Sequence, residues 1–128
     1  MITKLKAIKK NYTDARKHGG KASDVIQLID LFIDLFSLVE NIDPRLLSDL
    51  NQDLTSPMGG GRDVITTATM LKNDLVNSNK NIVIAPTGAC VTRAIIALIE
   101  SGSIRNDAAL NNAYSNYISL LNNLAVKI

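Results

Sequence analysis

Few residues in this chain have the type and spacing that catalysis or metal binding requires. Asp30 and Asp34 lie four positions apart in a predicted helix, a spacing at which two carboxylates can share a proton or a metal ion. Further ligands would have to come from unspecific neutral side chains on the same line, and charges at helical spacing usually mark a solvated face. We therefore expect this line to be exposed or paired with another helix, and we expect no metal site.

Cys90 and His18 are the only cysteine and the only histidine. Thr87 predicts the start of a helix, so Cys90 would lie in its first turn, where the helix dipole can lower the pKa of a thiol. A nucleophilic thiolate also needs a base, and His18 falls at the end of a basic helix with glycine after it. We expect Cys90 to be a small buried core residue, and the chain to be neither an enzyme nor a cofactor-binding protein.

A glycine-rich segment, residues 58–63, precedes another predicted helix. Its backbone amides and Arg62 could cradle a phosphate or another anion. The lysine and the preceding strand of a nucleotide-binding loop are missing, and Asp63 at the helix start repels an anion. We predict a crossover between two halves of the fold, with an anion or small-ligand binder as an alternative function.

Charge is strongly segregated along the chain. Residues 1–21 hold seven Lys or Arg and one Asp, whereas residues 22–54 hold seven Asp or Glu and one Arg. Pairing of the first helix with the acid-rich second and third helices would explain both blocks. The alternative is a small nucleic-acid-binding accessory protein, although the basic residues show no preference for arginine. The basic residues that could contact phosphate are Lys6, Lys9, Lys10 and Lys17.

Helical periodicity of the apolar residues accounts for most of the chain. On the first helix it predicts one inner stripe, which consists of Met1, Leu5, Ile8, Tyr12 and Ala15. No strand-like alternation extends beyond three residues, although Pro86 favours a short extended piece at residues 82–84. We predict an all-α fold, a compact bundle of about six helices in one domain over residues 1–128, with helices two and five central. The predicted helices are 2–18, 23–41, 44–54, 63–79, 87–101 and a last one that begins at 106.

The last predicted helix carries no charge from residue 108 to residue 126. A helix side that faces water usually carries Lys and Glu, whereas Asn is a poor helix former. Such a polar side indicates contact with protein. Its residues are Asn111, Asn112, Ser115, Asn116, Ser119, Asn122 and Asn123.

The sequence therefore favours a protein-binding helical protein that is a homo-oligomer, acting as a self-associating structural subunit or adaptor in a larger assembly. Its abundance of Asn, Ile and Lys is typical of an AT-rich coding genome, bacterial or phage. Polar residues interrupt the longest apolar segment, residues 25–39, and the basic start does not lead into an apolar run. We therefore expect no transmembrane segment or signal peptide, and a location in the cytoplasm or within an assembly.

Overall fold

The computed structural model describes residues 1–15, 20–55, 63–77 and 82–126, and within these ranges every regular element is a helix. The prediction of an all-α bundle is confirmed, with seven helices described where about six were expected. The helices are α1 (Ile2–Ala15), α2 (Ala22–Phe36), α3 (Pro44–Thr55), α4 (Val64–Val76), α5 (Ile84–Glu100), α6 (Asp107–Ser115) and α7 (Ile118–Val126).

Helices α2 and α5 form the centre of the bundle, as predicted. α5 packs against α1, α2 and α3, while α2 packs against α4, α5 and α6. The buried positions of α5 occur along its whole length rather than on one stripe, because other helices cover it from several sides. These buried residues are Ala85, Thr87, Gly88, Val91, Thr92, Ala94, Ile95, Ile96 and Leu98.

The first helix uses one apolar stripe to join the bundle. Leu5, Ile8 and Tyr12 are fully buried, which confirms the predicted inner side of this helix. The stripe packs mainly against α5 and α7. Of the lysines between these residues, Lys6 and Lys10 are exposed and Lys9 is partly buried.

Three predicted helix starts are confirmed by their hydrogen bonds. The Asp63 carboxylate accepts a hydrogen bond from the Thr66 backbone N–H at 3.1 Å, and the Asn106 side chain accepts one from the Ala109 N–H at 3.0 Å. Asp43 accepts one from the Arg45 N–H at 2.8 Å, just before α3. Each side chain satisfies a backbone donor that has no partner within its own helix.

The predicted start of the fifth helix is wrong. α5 begins at Ile84, so of the extended piece expected at residues 82–84 the last residue is helical, while Val83 before it has extended backbone. Pro86 falls in the first turn of α5, where a missing N–H costs no helical hydrogen bond. The Thr87 hydroxyl donates to the Val83 carbonyl at 2.8 Å, and Cys90 lies in the second turn.

Three other predicted helices differ from the structure, and one of them, α4, ends at Val76 rather than near residue 79. α2 ends at Phe36, and the Ser37 hydroxyl donates to the Asp34 carbonyl at 2.6 Å, competing with the backbone for that acceptor. The last predicted helix is divided in two at Asn116 and Tyr117, where the Tyr117 N–H donates to the Tyr114 carbonyl at 3.0 Å. This tighter bond pattern interrupts the helix for two residues.

Candidate functional site

The polar side predicted from the sequence is a continuous series of exposed positions on α6 and α7. Its spacing runs without interruption across the turn between the two helices, and the buried residues Ala113, Leu121 and Leu124 lie between its members. We call this surface the amide face. It consists of Asn111, Asn112, Ser115, Asn116, Ser119, Asn122 and Asn123, all of which are exposed.

Most side-chain amides of the amide face make no hydrogen bond to another residue in the part of the chain that the structure describes. Asn122 is the exception, because its side-chain oxygen accepts a hydrogen bond from the Lys4 ammonium group. The Ser115 hydroxyl donates to the Asn112 backbone carbonyl at 2.8 Å. The amides that make no hydrogen bond to another described residue are those of Asn111, Asn112, Asn116 and Asn123.

Two contacts that the sequence did not reveal fix the helices that carry the amide face. The Tyr117 hydroxyl donates to the Asp34 carboxylate at 2.6 Å and so fixes the α6–α7 turn to α2. The Asn11 side chain donates to the carbonyls of Leu124 and Ala125 at 2.8 and 3.2 Å. Because the last carbonyls of a helix lack internal partners, Asn11 stabilises the end of α7.

A second surface is a cavity of about 360 Å³ beside α1 and α5, which we call the lysine groove. Three of the predicted phosphate-contacting lysines line it together. Lys17 and Arg62, like His18 and most of the glycine-rich segment, lie outside the described residues. The groove is lined by Lys6, Lys9, Lys10, Thr13, Asp14, Ile96 and Glu100.

The predicted pairing of the α1 lysines with the acid-rich second and third helices is wrong for Lys6, which pairs with Glu100 of α5 at 3.4 Å. Lys10 forms no such pair within the described chain. The acidic residues bind later cations instead: Asp30 pairs with Lys72 at 2.6 Å, and Asp53 with Arg93 at 2.7 Å.

Apolar burial explains this arrangement. Burying one large apolar side chain contributes about 1.5–3 kcal/mol, whereas an exposed ion pair contributes about 0–1 kcal/mol. The buried stripe of Leu5, Ile8 and Tyr12 therefore decides where α1 packs. Any ion pairs of the α1 lysines then form with the acidic residues that lie close to this position.

The residues considered for catalysis are engaged in other ways. Asp30 binds Lys72 and Asp34 binds Tyr117, so the two carboxylates have separate partners. Cys90 is half-buried rather than fully buried, and burial raises the pKa of its thiol. Within the described ranges, no group of three or more His, Cys, Asp or Glu is arranged to hold a metal ion.

A larger cavity, of about 510 Å³, lies between the α2–α3 and α5–α6 connections. Several of its polar groups already bond to their neighbours: Asp43 accepts from the Arg45 N–H, and the hydroxyls of Ser101 and Ser103 are 2.7 Å apart. Residues distant in the sequence line this cavity, so their spacing along the chain does not predict it.

No protein-family model matches this chain, and comparisons with curated proteins and with solved structures found no match. Among the described helices, none combines the length and the apolar character needed to cross a membrane. A function therefore has to be inferred from the surfaces themselves.

Proposed function

We propose that this chain is a non-enzymatic helical protein that binds protein, and that it self-associates through the amide face as a subunit of a larger assembly. One observation carries the proposal: every exposed position from residue 108 to residue 126 is uncharged. Apart from the amide face itself, these positions are Ala108 and Val126.

The composition of the amide face has an energetic cost. Four of its asparagines lie inside helices, and each costs about 0.5 kcal/mol relative to a good helix former such as Lys or Glu. A total of about 2 kcal/mol is a sizeable share of a domain stability of about 5–15 kcal/mol. Lysine or glutamate would avoid this cost on a face that meets only water. The four residues are Asn111, Asn112, Asn122 and Asn123.

The chemistry of the amide face supports a second copy of the chain as its partner. In a two-fold symmetric contact the same surface patch meets itself, so a face rich in one charge repels its own copy. An asparagine amide is both donor and acceptor, and the same is true of a serine hydroxyl. Asparagine at a helix contact can therefore bond across the interface and fix its register.

The state of the thiol and of the paired carboxylates supports the non-enzymatic part of the proposal. Burial raises the pKa of Cys90, so its nucleophilic thiolate is less populated than that of a free cysteine. The carboxylates of Asp30 and Asp53 are paired with cations. Groups arranged in this way contribute to the fold rather than to proton transfer.

The proposal is tested by measuring molar mass in solution across a range of protein concentrations, using sedimentation equilibrium. The wild-type chain is expected to form a homo-oligomer. Asn116→Lys combined with Ser119→Lys should shift it to monomer, because a lysine in the contact would be desolvated without a partner. Helix content, followed by circular dichroism, should not change.

A matched control introduces the same two charges elsewhere. Ser48 and Gln52 are exposed and lie four positions apart on α3, so Ser48→Lys with Gln52→Lys should leave the molar mass unchanged. A wild-type chain that stays monomeric at high concentration would contradict the proposal. Equal loss of assembly in both double variants would also contradict it, because charge alone would then explain the effect.

A further inference from the structure

The lysine groove contains more positive charge than its own carboxylates neutralise. Lys6 pairs with Glu100, but Lys9 and Lys10 have no ion-pair partner among the residues that the structure describes. Asp14 is the remaining carboxylate in the lining. Within the described residues, two lysines and one aspartate of the lining have no ion-pair partner, which gives the groove a small net positive charge.

The spacing of the lysines adds to this imbalance. Lys6 and Lys10 are four positions apart on α1, and Lys6 and Lys9 are three apart, so their side chains are neighbours on one helix side. Like charges at these spacings destabilise a helix. Glu100 offsets the charge of Lys6 only, and an anion bound beside Lys9 and Lys10 would offset the charges that repel Lys6.

The floor of the groove is apolar. Ile96 of α5 lines the cavity and is 7% exposed, and each lysine in the lining carries an aliphatic stem below its charged group. The Thr13 hydroxyl already donates to the Lys9 carbonyl at 2.8 Å, so it has no proton left for a ligand. Recognition of an anion would depend on the two ammonium groups, and the floor would take an apolar part of the same molecule.

We propose that the lysine groove is a binding site for a small organic anion that joins one anionic head to an apolar body. The head binds to the ammonium groups that Lys9 and Lys10 contribute to the groove, and the body covers Ile96. A cavity of about 360 Å³ is within the range of small-ligand sites.

The same lining disfavours the phosphate backbone of a nucleic acid. A backbone presents a negative charge at every nucleotide, and binding proteins neutralise several of them with successive Lys or Arg residues. Asp14 and Glu100 line the groove together with the lysines, so an extended polyanion would meet two carboxylates there. A compact anion with one head avoids both.

The proposal is tested by titrating the isotope-labelled chain with simple probes and following its backbone amide signals by NMR. Benzoate and phenyl phosphate carry a head and a ring, acetate and inorganic phosphate carry the head alone, and phenol carries the ring alone. We expect saturable shifts near Lys9, Lys10 and Ile96 for benzoate, phenyl phosphate or both. Whichever of the two binds identifies the head as a carboxylate or a phosphate.

The ring-bearing anion should bind at least about tenfold more tightly than its head alone or than phenol, since each part adds contacts. Lys9→Gln with Lys10→Gln should weaken its binding by about tenfold or more. The control Lys21→Gln with Arg105→Gln removes two exposed cations that do not line the groove and should leave the affinity unchanged.

Three results would overturn the proposal. Weak, unsaturable shifts at lysines throughout the chain would mean that there is no site. Equal binding of the heads alone would remove the role of the apolar floor. An oligonucleotide that binds more tightly than every small probe, with a steep dependence on salt, would establish nucleic acid as the ligand instead.

Discussion

A Cβ atom built on Gly88 of α5 would lie 2.8 Å from both Cε1 and Cζ of the Tyr12 ring on α1. Carbon atoms in van der Waals contact are about 3.5–4.0 Å apart, so no side chain fits at this position without a shift of the ring. Tyr12 is fully buried, and its ring cannot swing out to solvent. The missing side chain of Gly88 therefore allows α1 to pack closely on α5.

Gly88→Ala should destabilise the chain. Replacing a glycine inside a helix by alanine normally stabilises by about 0.5–1 kcal/mol, but overpacking a core costs about 1–3 kcal/mol. We expect a net loss of about 1 kcal/mol in the free energy of unfolding, measured with urea. In a Tyr12→Leu background, where the ring is absent, the same substitution should stabilise. Stabilisation by Gly88→Ala alone would show that α1 and α5 are not packed closely here.

Tyr12→Phe should not destabilise the chain, although it removes a hydroxyl from the core. The Tyr12 hydroxyl is buried and has no hydrogen-bond partner in the described ranges. Because burying an unpaired polar group costs free energy, we expect the variant to be as stable as the wild type or up to about 1 kcal/mol more stable. Thermal or urea unfolding measures this.

The matched control for this variant is Tyr117→Phe, which removes a hydroxyl that donates to Asp34 at 2.6 Å. Its loss should cost about 1 kcal/mol, because this bond ends on a carboxylate but is exposed to solvent. If Tyr12→Phe lost as much stability as the control, the buried hydroxyl of Tyr12 would have to be bonded as well.

The elements that depend on local signals could be predicted from the sequence. Asp63 and Asn106 were predicted as helix starts from the sequence, and both side chains accept backbone hydrogen bonds there. The stripe of Leu5, Ile8 and Tyr12 followed from helical spacing. The amide face was predicted residue by residue, because exposure along an amphipathic helix follows the same spacing.

Features that depend on tertiary contacts could not be predicted. The partner of Lys6 is on α5, and nothing in the charge pattern distinguishes Glu100 from the nearer acidic block. The close approach of Gly88 to Tyr12 depends on how α5 packs on α1, and the two residues are 76 positions apart in the sequence. Pro86 led to the wrong start for α5. Proline disfavours helical geometry in the residue that precedes it, but proline itself suits the first turn of a helix.

Cys90 should react slowly with thiol reagents. Burial is the main cause that raises the pKa of its thiol above the ordinary value of 9.0, and Asp53 raises it further, while Arg93 lowers it. At about pH 8 the thiolate fraction should therefore be smaller than in a free cysteine peptide, and iodoacetamide should alkylate it more slowly. Arg93→Gln should slow the reaction further, because it removes the charge that favours the thiolate.

The control for the Cys90 measurement is Lys72→Gln, which removes a cation that is paired with Asp30 rather than placed beside the thiol. It should leave the alkylation rate unchanged. A thiolate that forms below about pH 8, seen as absorbance near 240 nm, would show that Cys90 is activated and would reopen the question of catalysis.

The stability of the chain should fall at alkaline pH because of two tyrosines. Burial raises the pKa of Tyr12 and of Tyr117 above the ordinary value of 10.0, assisted by Asp24 for Tyr12 and by the hydrogen bond to Asp34 for Tyr117. Unfolded tyrosines lose their protons first as the pH rises, so the unfolded state gains stability relative to the folded state. The contribution of both hydroxyls is fully present below about pH 10 and is lost as the pH rises toward their folded pKa values.

Urea unfolding between about pH 8 and about pH 11 measures this effect. The wild-type free energy of unfolding should decline above about pH 10, and the double variant Tyr12→Phe with Tyr117→Phe should decline less steeply. Lysines also titrate in this range, but both chains contain the same lysines, so the difference between their slopes isolates the tyrosines. Identical slopes in the two chains would mean that neither hydroxyl has a higher pKa in the folded state than in the unfolded state.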